Sequence, residues 1–362
     1  RLPVIEIAGA PDGIALTGAA AGPAVQARPA QPDDIALLLT TSGTTSHSKI
    51  VPIRHRQLMA RCHNAAGRLD LRPEDRCLNL MPLYHSHGLN SGLGVSMVAG
   101  GGVIAMPRFD VESFFRYIEA LQPTWFTAVF TFHHQIHAHA QAHQAAIARS
   151  RLRFIHTSSG RLEPRIADDL ESWFGVPMLG TYASTETGVM TGDSHPPALR
   201  KRDSVGTPAG PEVAVFGDDG KPAPAGTRGE VRVRGANVFD GYENEAASGA
   251  LTADGWFCTG DEGMFDADGF LFLTGRVKET INRGGEKISP SEIDAALLRH
   301  PAVAAATAFA IPHATLGEEA AAAVVLRAGA SAGEKELAEF LRRHLAAFKV
   351  PRRILVVDDI PK

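Results

Sequence analysis

The sequence predicts an α/β protein, with a large N-terminal domain of mixed sheets with flanking helices and a small β subdomain, followed by a small α+β C-terminal domain. Three observations predict it. Between residues 35 and 157, short apolar runs alternate with helical patterns, the signature of a largely parallel sheet. After about residue 196 the texture changes to short strands set between Gly/Pro/Asp turns such as Gly217-Asp218-Asp219-Gly220, as in an antiparallel β subdomain. Beyond Gly275-Arg276, helix and strand alternate again. The large domain is therefore expected over 1–275, its β subdomain over about 196–275, and the C-terminal domain over 278–362.

The elements follow in order. Residues 1–30, rich in Ala, Gly and Pro, read as a loop-bearing edge. The continuous apolar run 35–39 ends in Thr40-Thr41-Ser42-Gly43 and suits a buried strand leading into a loop. Helical spacing covers 57–69, and a strand follows over 76–80. A strand at 103–106, a helix at 111–121, a strand at 125–130, a His-rich helix and a strand at 154–157 continue the alternation. Strands at 212–216, 230–234 and 269–273 build the β subdomain. Helices at 291–299 and 334–345 flank strands near 304–311 and 322–326. No internal repeat is apparent.

Composition narrows the function classes. With 362 residues, 44% hydrophobic and 21% charged, the chain has material for more than one core. A net charge of -4 gives no electrostatic reason for a nucleic-acid or acidic-membrane partner. The apolar stretch 95–106 is broken by Gly100-Gly101-Gly102 and is too short for a transmembrane segment; no basic-then-apolar leader opens the chain. Cys62, Cys77 and Cys258 are odd in number and scattered, so they build neither a disulfide framework nor a metal knuckle. A reducing, cytoplasmic setting is the expectation. Oligomeric state is unspecified.

Chemistry concentrates in a few segments. Thr41-Ser42-Gly43-Thr44-Thr45-Ser46-His47-Ser48-Lys49 places hydroxyls, a glycine and a lysine after an apolar strand. Hydroxyls and backbone N–H groups donate to phosphate oxygens and the lysine supplies a point charge. It is not a Walker A loop, because Ser48 precedes the lysine and Ile50 follows it. By itself the segment reads as a phosphate cradle or as a polar surface loop. In the His-rich helix, His133 and His137 have a spacing that zinc ligands use. The glutamate of HExxH is absent, and a polar helix face is the better account.

Four further segments complete a pattern. They are Met81-Pro82-Leu83-Tyr84-His85-Ser86-His87-Gly88-Leu89, Thr181-Tyr182-Ala183-Ser184-Thr185-Glu186, Trp256-Phe257-Cys258-Thr259-Gly260-Asp261, and Gly275-Arg276-Val277-Lys278 followed by Ile281-Asn282-Arg283-Gly284-Gly285-Glu286-Lys287. With the Thr41–Lys49 loop, this order resembles the adenylate-forming (AMP-binding) superfamily of acyl-CoA synthetases, firefly-type luciferases and peptide-synthetase adenylation domains. Where that family reads roughly TSGTTGxPKG, this chain has Ser46, Ser48 and Ile50 in place of the second glycine, the proline and the last glycine.

The resemblance implies a reaction and roles. ATP and a carboxylic acid would give an acyl-adenylate and pyrophosphate, and the acyl group would pass to CoA. Thr41, Ser42, Gly43, Thr44, Thr45 and Lys49 would hold phosphates, with Ser159, Gly160, Arg161, Thr181, Ala183 and Ser184 around the nucleotide. Tyr182 would stack on adenine, Thr185 would donate to the α-phosphate, and Glu186 would hold Mg²⁺. His85 would lie between carboxylate and phosphate, while Asp261 and Arg276 would serve ribose and phosphate. Lys278 would be the hinge of a mobile C-terminal domain, and Gly284-Gly285 would border a tunnel for the CoA thiol. The residue types suit these tasks: a carboxylate and an ATP phosphate repel, so activation needs cations and donors aimed at the charge developing at phosphorus.

The resemblance also narrows the substrate. Adenylation domains that take amino acids place an aspartate near the start of the acyl-pocket motif, where this chain has Tyr84, His85 and Ser86. Thr44-Thr45-Ser46 and the run from Ile281 to Pro290 look most like the oxalate-CoA ligase branch, which implies a small, polar acid such as a dicarboxylate, with His85 and His87 as partners for a second carboxylate. Thr187-Gly188-Val189-Met190 matches that branch less well. Loading of a carrier protein, or nucleotide binding without full turnover, stays open. Family members also carry an N-terminal portion ahead of the phosphate loop, and a catalytic lysine that would fall just past Lys362.

Overall fold

The computed structural model describes residues 6–10, 13–17, 28–41, 49–160, 162–197, 200–243, 250–283, 286–313 and 315–360. It opens with two hairpins. β1 (Glu6–Ala10) pairs antiparallel with β2 (Gly13–Thr17), where the sequence predicts only a loop-bearing edge. Gly and Ala have little intrinsic β preference, and pairing overrides it. β3 (Ile35–Thr41) pairs antiparallel with β4 (Lys49–Arg54), so residues 42–48 connect the two strands. The expected buried strand is corrected here: Ile35 and Leu38 are 48% and 61% exposed. β3 has β4 as its partner and lies outside the larger sheets. β4 is the buried member, with Val51 and Ile53 packed against Met190, Val233 and Phe257.

The centre is a seven-stranded sheet. α1 (His55–Arg68) leads to β5 (Arg76–Asn79), and a π-helical segment, His87–Gly94, runs into α2 (Val95–Val98). Then come β6 (Gly102–Ala105), α3 (Val111–Leu121), β7 (Trp125–Ala128), α4 (Phe130–His139), α5 (Gln144–Ala148), β8 (Phe154–Thr157), α6 (Pro164–Phe174), β9 (Met178–Ser184), β10 (Gly188–Gly192) and β11 (Thr207–Pro208). The order is β11-β10-β9-β8-β7-β5-β6, parallel from β6 to β9 and antiparallel beyond.

Strand residues alternate between two cores, as the period of two requires. Leu78, Phe126, Ile155 and Met178 face α3, α4, α5 and α6. Cys77, Trp125, Phe154 and Leu179 face α1 and α2. Helix ends are set locally: Asp110 accepts from the Ser113 N–H at the start of α3, and Pro164 opens α6.

β12 (Glu212–Phe216), β13 (Gly229–Arg234), β14 (Phe257–Phe265) and β15 (Leu271–Arg276) form an antiparallel sheet in that order. After a single turn at Val277–Glu279 comes the last sheet, built from β16 (Ile281–Arg283), β17 (Glu286–Ile288), β18 (Val303–His313), β19 (Gly317–Leu326) and β20 (Arg353–Val356). Helices α7 (Pro290–Leu297) and α8 (Glu334–Arg342) cover it through Ile293, Leu297, Leu337 and Leu341. Cys62, Cys77 and Cys258 are free thiols. No helix among the described residues is long and apolar enough to cross a membrane.

Candidate active site

Past the carboxyl ends of β8 and β9 lies a cavity of about 150 Å³, where open α/β sheets place their ligands. Its wall sets polar side chains, including His85, His87, Asn90, Ser159, Ser184 and Thr185, among the apolar Ala65, Val95, Ala183 and Val189. Ser159 has a φ of +65°, a left-handed conformation uncommon outside glycine, and its Oγ lies 3.3 Å from His87 Nδ1. Next to it Gly160 is required by space, since a Cβ there would meet the Phe130 ring at 2.6 Å. His85 is exposed at the cavity, and its Nδ1 accepts from the His87 N–H at 3.3 Å.

The turn from β9 to β10 carries Thr185 and Glu186, and Arg61 of α1 holds it. This buried guanidinium donates to the carbonyl oxygens of Asn237 (2.8 Å), Thr185 (2.9 Å) and Glu186 (2.5 Å). Burial lowers its pKa to about 10, and the nearby Glu186 charge opposes that fall. Glu186 Oε1 accepts from the Tyr242 hydroxyl at 2.7 Å, and burial, with Glu186 second, raises that phenol. Lys49 Nζ lies 4.9 Å from the centre of the Tyr242 ring. One aromatic ring thus touches both the lysine after the 42–48 connection and the acidic residue of the turn.

On β9, Thr181 and Tyr182 diverge. Thr181 Oγ1 reaches His156, whereas the Tyr182 hydroxyl donates to Asp261 Oδ2. Arg276 Nε lies 2.8 Å from Asp261 Oδ1, and the two residues are paired in register between β14 and β15. Burial pushes the Asp261 carboxyl up, while Tyr182 and Arg276 pull it back. Burial, then the Asp261 charge, raises Tyr182 well above the usual phenol range.

Of the residues singled out from sequence, His85, Ser159, Ala183, Ser184 and Thr185 line the cavity, and Glu186 is next in the chain. Gly160 follows Ser159, and Thr41 pairs with Lys49 at the base of the 42–48 connection. Asp261 and Arg276 meet Tyr182 on the other side of β9. Ser42, Gly43, Thr44, Thr45, Arg161, Gly284, Gly285 and Lys362 lie outside the described residues. Lys278 falls in the turn Val277–Glu279.

Sequence reasoning missed Arg61, Tyr242 and Thr127. No local motif marks them, because their hydrogen-bond partners lie 29 to 176 positions away. The His-rich helix is also corrected as a polar face. His133 is fully buried with neither ring nitrogen hydrogen-bonded, while His137 is bonded to Asp169 and stacked on Trp173. Among the described residues, no group of three or more His, Cys, Asp or Glu side chains could hold a metal.

Comparison with known proteins gives a consistent picture. The family described as AMP-binding enzyme matches residues 4–243, and AMP-binding enzyme C-terminal domain matches 292–362. Oxalate–CoA ligase of Arabidopsis thaliana is 43% identical over 336 residues, which is 91% of this chain and 65% of that protein. Oxalate–CoA ligase of Saccharomyces cerevisiae is 39% identical over 92% of this chain and 61% of its own length. Sulfoacetate–CoA ligase of Cupriavidus necator is 38% identical, over 92% and 65%. Among solved structures, ATP-bound MatB from Rhodopseudomonas palustris superposes with a TM-score of 0.84 at 30% identity, covering 92% of this chain and 66% of that one. The o-succinylbenzoate CoA synthetase of Bacillus subtilis, in complex with its acyl-adenylate intermediate, gives 0.82 at 29% identity, covering 92% and 67%. The chain spans just under two thirds of the length of these curated relatives.

Proposed function

This chain belongs to the AMP-binding enzyme family, and from that premise we propose that it is the greater part of an acid–thiol ligase that activates a small carboxylic acid with ATP and passes it to CoA. One observation carries the reading. β9 and the turn after it border a small cavity through Ala183, Ser184 and Thr185, while Tyr182, on the same strand, joins Asp261 and Arg276. A carboxylate in the cavity and a nucleotide along the strand would meet at Thr185.

In the first step a carboxylate oxygen bonds to the α-phosphorus, the bond to the pyrophosphate oxygen breaks, and acyl-adenylate forms. The Thr185 hydroxyl donates to the α-phosphate as charge develops there, and His85 sits between acid and phosphate. Thr41, Lys49 and the segment Ser42–Thr45 hold the remaining phosphates; Tyr182 packs on adenine, and Asp261 accepts from the ribose hydroxyls. In the second step the thiol gives its proton to solvent, its sulfur bonds to the acyl carbon, and the bond from that carbon to the phosphate oxygen breaks, so that AMP leaves with the electron pair. Lys278 is the hinge between the two steps, and Gly284-Gly285 border the path of the thiol.

Glu186 fits Mg²⁺. Its carboxylate is a hard donor, and only one of its oxygens is hydrogen-bonded among the described residues. Bound there, the ion would neutralise phosphate charge.

The cavity argues for a small acid. About 150 Å³ is the size that accepts a benzene-sized guest rather than a long acyl chain. The polar side chains in its lining, with His85 exposed at the edge, suit an acid with a second polar end, such as oxalate; His87, expected as a second partner, is buried with its ring nitrogens turned to Ser159 and Thr127. The test is AMP release by the full-length protein with CoA and with oxalate, acetate or a fatty acid. Oxalate turnover is expected. Turnover of acetate or a fatty acid, with oxalate no better than no acid, removes the substrate assignment.

A further inference from the structure

Five polar side chains run in single file from the cavity wall to the nucleotide strand. Ser159 Oγ is 3.3 Å from His87 Nδ1, and His87 Nε2 is 2.6 Å from Thr127 Oγ1. Thr127 Oγ1 is in turn 2.7 Å from His156 Nδ1, and His156 Nε2 is 3.1 Å from Thr181 Oγ1. Thr127 and both rings are buried. Burial first, then neighbouring histidines, holds each ring's pKa to about 3, so each ring is neutral and carries a single N–H.

A neutral imidazole donates from one nitrogen and accepts at the other, and a threonine hydroxyl has one proton to give. Two orderings satisfy every link. In one, both rings carry their proton on Nδ1: His87 donates to Ser159, Thr127 to His87, His156 to Thr127 and Thr181 to His156. In the other, both carry it on Nε2 and every donor and acceptor is exchanged. Mixed states fail. With His87 protonated on Nδ1 and His156 on Nε2, both rings need the one Thr127 proton. In the reverse mixture both donate to Thr127, whose own O–H then has no acceptor among the described residues. A buried polar group left unmet costs roughly tenfold or more in population.

We propose that these five groups form a two-state hydrogen-bond relay that reverses as a unit, with Thr127 and His156 as positioning residues that set whether the cavity wall offers the acid a donor or an acceptor. With both rings protonated on Nδ1, Ser159 accepts from His87 and its own O–H is free to donate to a carboxylate. In the opposite ordering that proton is committed to His87. The far end is Thr181 on the nucleotide strand, so the acid selects an ordering that the nucleotide side also senses, and the coupling is reciprocal. The relay's link to an acid rests on the ligase reading; the matched tautomers do not.

Two measurements on the full-length protein test it. Ring-nitrogen NMR of ¹⁵N-histidine-labelled protein reports the tautomers directly. His87 and His156 are expected to match in the free protein, and both to hold their proton on Nδ1 with oxalate and α,β-methylene-ATP bound. Unlike tautomers, or a change at one ring without the other, overturns the relay. Thr127→Val keeps the shape and removes the hydroxyl. It should raise KM for oxalate about tenfold, with KM for ATP and kcat within about threefold, and Thr127→Ser should restore KM. An unchanged KM for oxalate in Thr127→Val, or no recovery in Thr127→Ser, overturns the positioning role. If no acid supports AMP release by the unaltered protein, the ligase reading falls, and matching in the free protein still decides the relay.

Discussion

Glu186 and His133 are both buried polar side chains, one with a partner and one without. Glu186→Gln keeps an acceptor for the Tyr242 hydroxyl but removes the charge a divalent ion needs. ATP–pyrophosphate exchange should fall by about a hundredfold or more; unchanged exchange would remove Glu186 as the metal ligand. His133 has no formed hydrogen bond at either ring nitrogen, and burial lowers its pKa to about 3. Unfolding restores a value of about 6.5, so between about pH 3 and 6.5 the unfolded chain binds more protons. The stability His133 contributes is therefore present above about pH 6.5 and lost as the pH falls. His133→Leu should make the loss of stability between about pH 6.5 and 5 shallower, as read by denaturant melts. An identical pH profile would contradict the buried neutral ring. The sequence displays Glu186, Tyr182 and Asp261 openly because each lies in a contiguous motif. Arg61 and Tyr242 are invisible there, since each acts on a turn more than fifty residues away.

At the scale of elements, the turn between β9 and β10 depends on α1. Gly188 closes it with a φ of +67°, and a Cβ there would meet Arg61 Cγ at 2.7 Å. Gly188→Ala is expected to destabilise the protein by about 1–3 kcal/mol, from strained backbone and a displaced Arg61, and to lower exchange with it. Arg61→Lys should leave some of the three carbonyls unpaired, at a further cost of about 1–3 kcal/mol in denaturant melts. Wild-type stability in both variants would mean that α1 does not hold the turn. The parallel strands β5 to β8 are legible as short apolar runs between helices, whereas β9 is not, because Gly180 and Thr181 interrupt its apolar run. Thr259-Gly260-Asp261 reads as a common turn, yet it lies inside β14. Gly260 at φ +73° and a register shift after Glu262 bend the strand there, so turn-type residues and strand pairing coexist. β1 and β2 escape detection for the opposite reason, because their Gly and Ala residues give no periodic signal.

At the scale of the whole molecule, the last sheet meets the body through a few polar contacts. Ser289 and Ser291 donate to the Thr274 carbonyl, and Arg228 lies 3.9 Å from Glu292. Behind them Asp294 accepts from the Ala308 N–H; burial raises its carboxyl to about 7, and Glu279 pushes the same way. The unfolded value is about 3.9, so the folded protein holds the extra proton between about pH 4 and 7, and stability falls as pH rises through that window. Asp294→Asn should therefore stabilise at about pH 8 by about a kcal/mol or more and change little at about pH 4. Equal effects at both values would contradict the raised carboxyl. The order of segments across the molecule was legible from five motifs. That the His85 and Thr185 motifs border one cavity was not, because it depends on strand order.

The central claim is that this cavity presents a carboxylate to the α-phosphate of ATP. The most direct test is ATP–pyrophosphate exchange by the full-length protein across a panel of carboxylic acids, with Glu186→Gln as control. Exchange that requires one of the small acids and is lost in the control is the predicted result. Exchange with none of the acids, or exchange that survives the loss of Glu186, would contradict it.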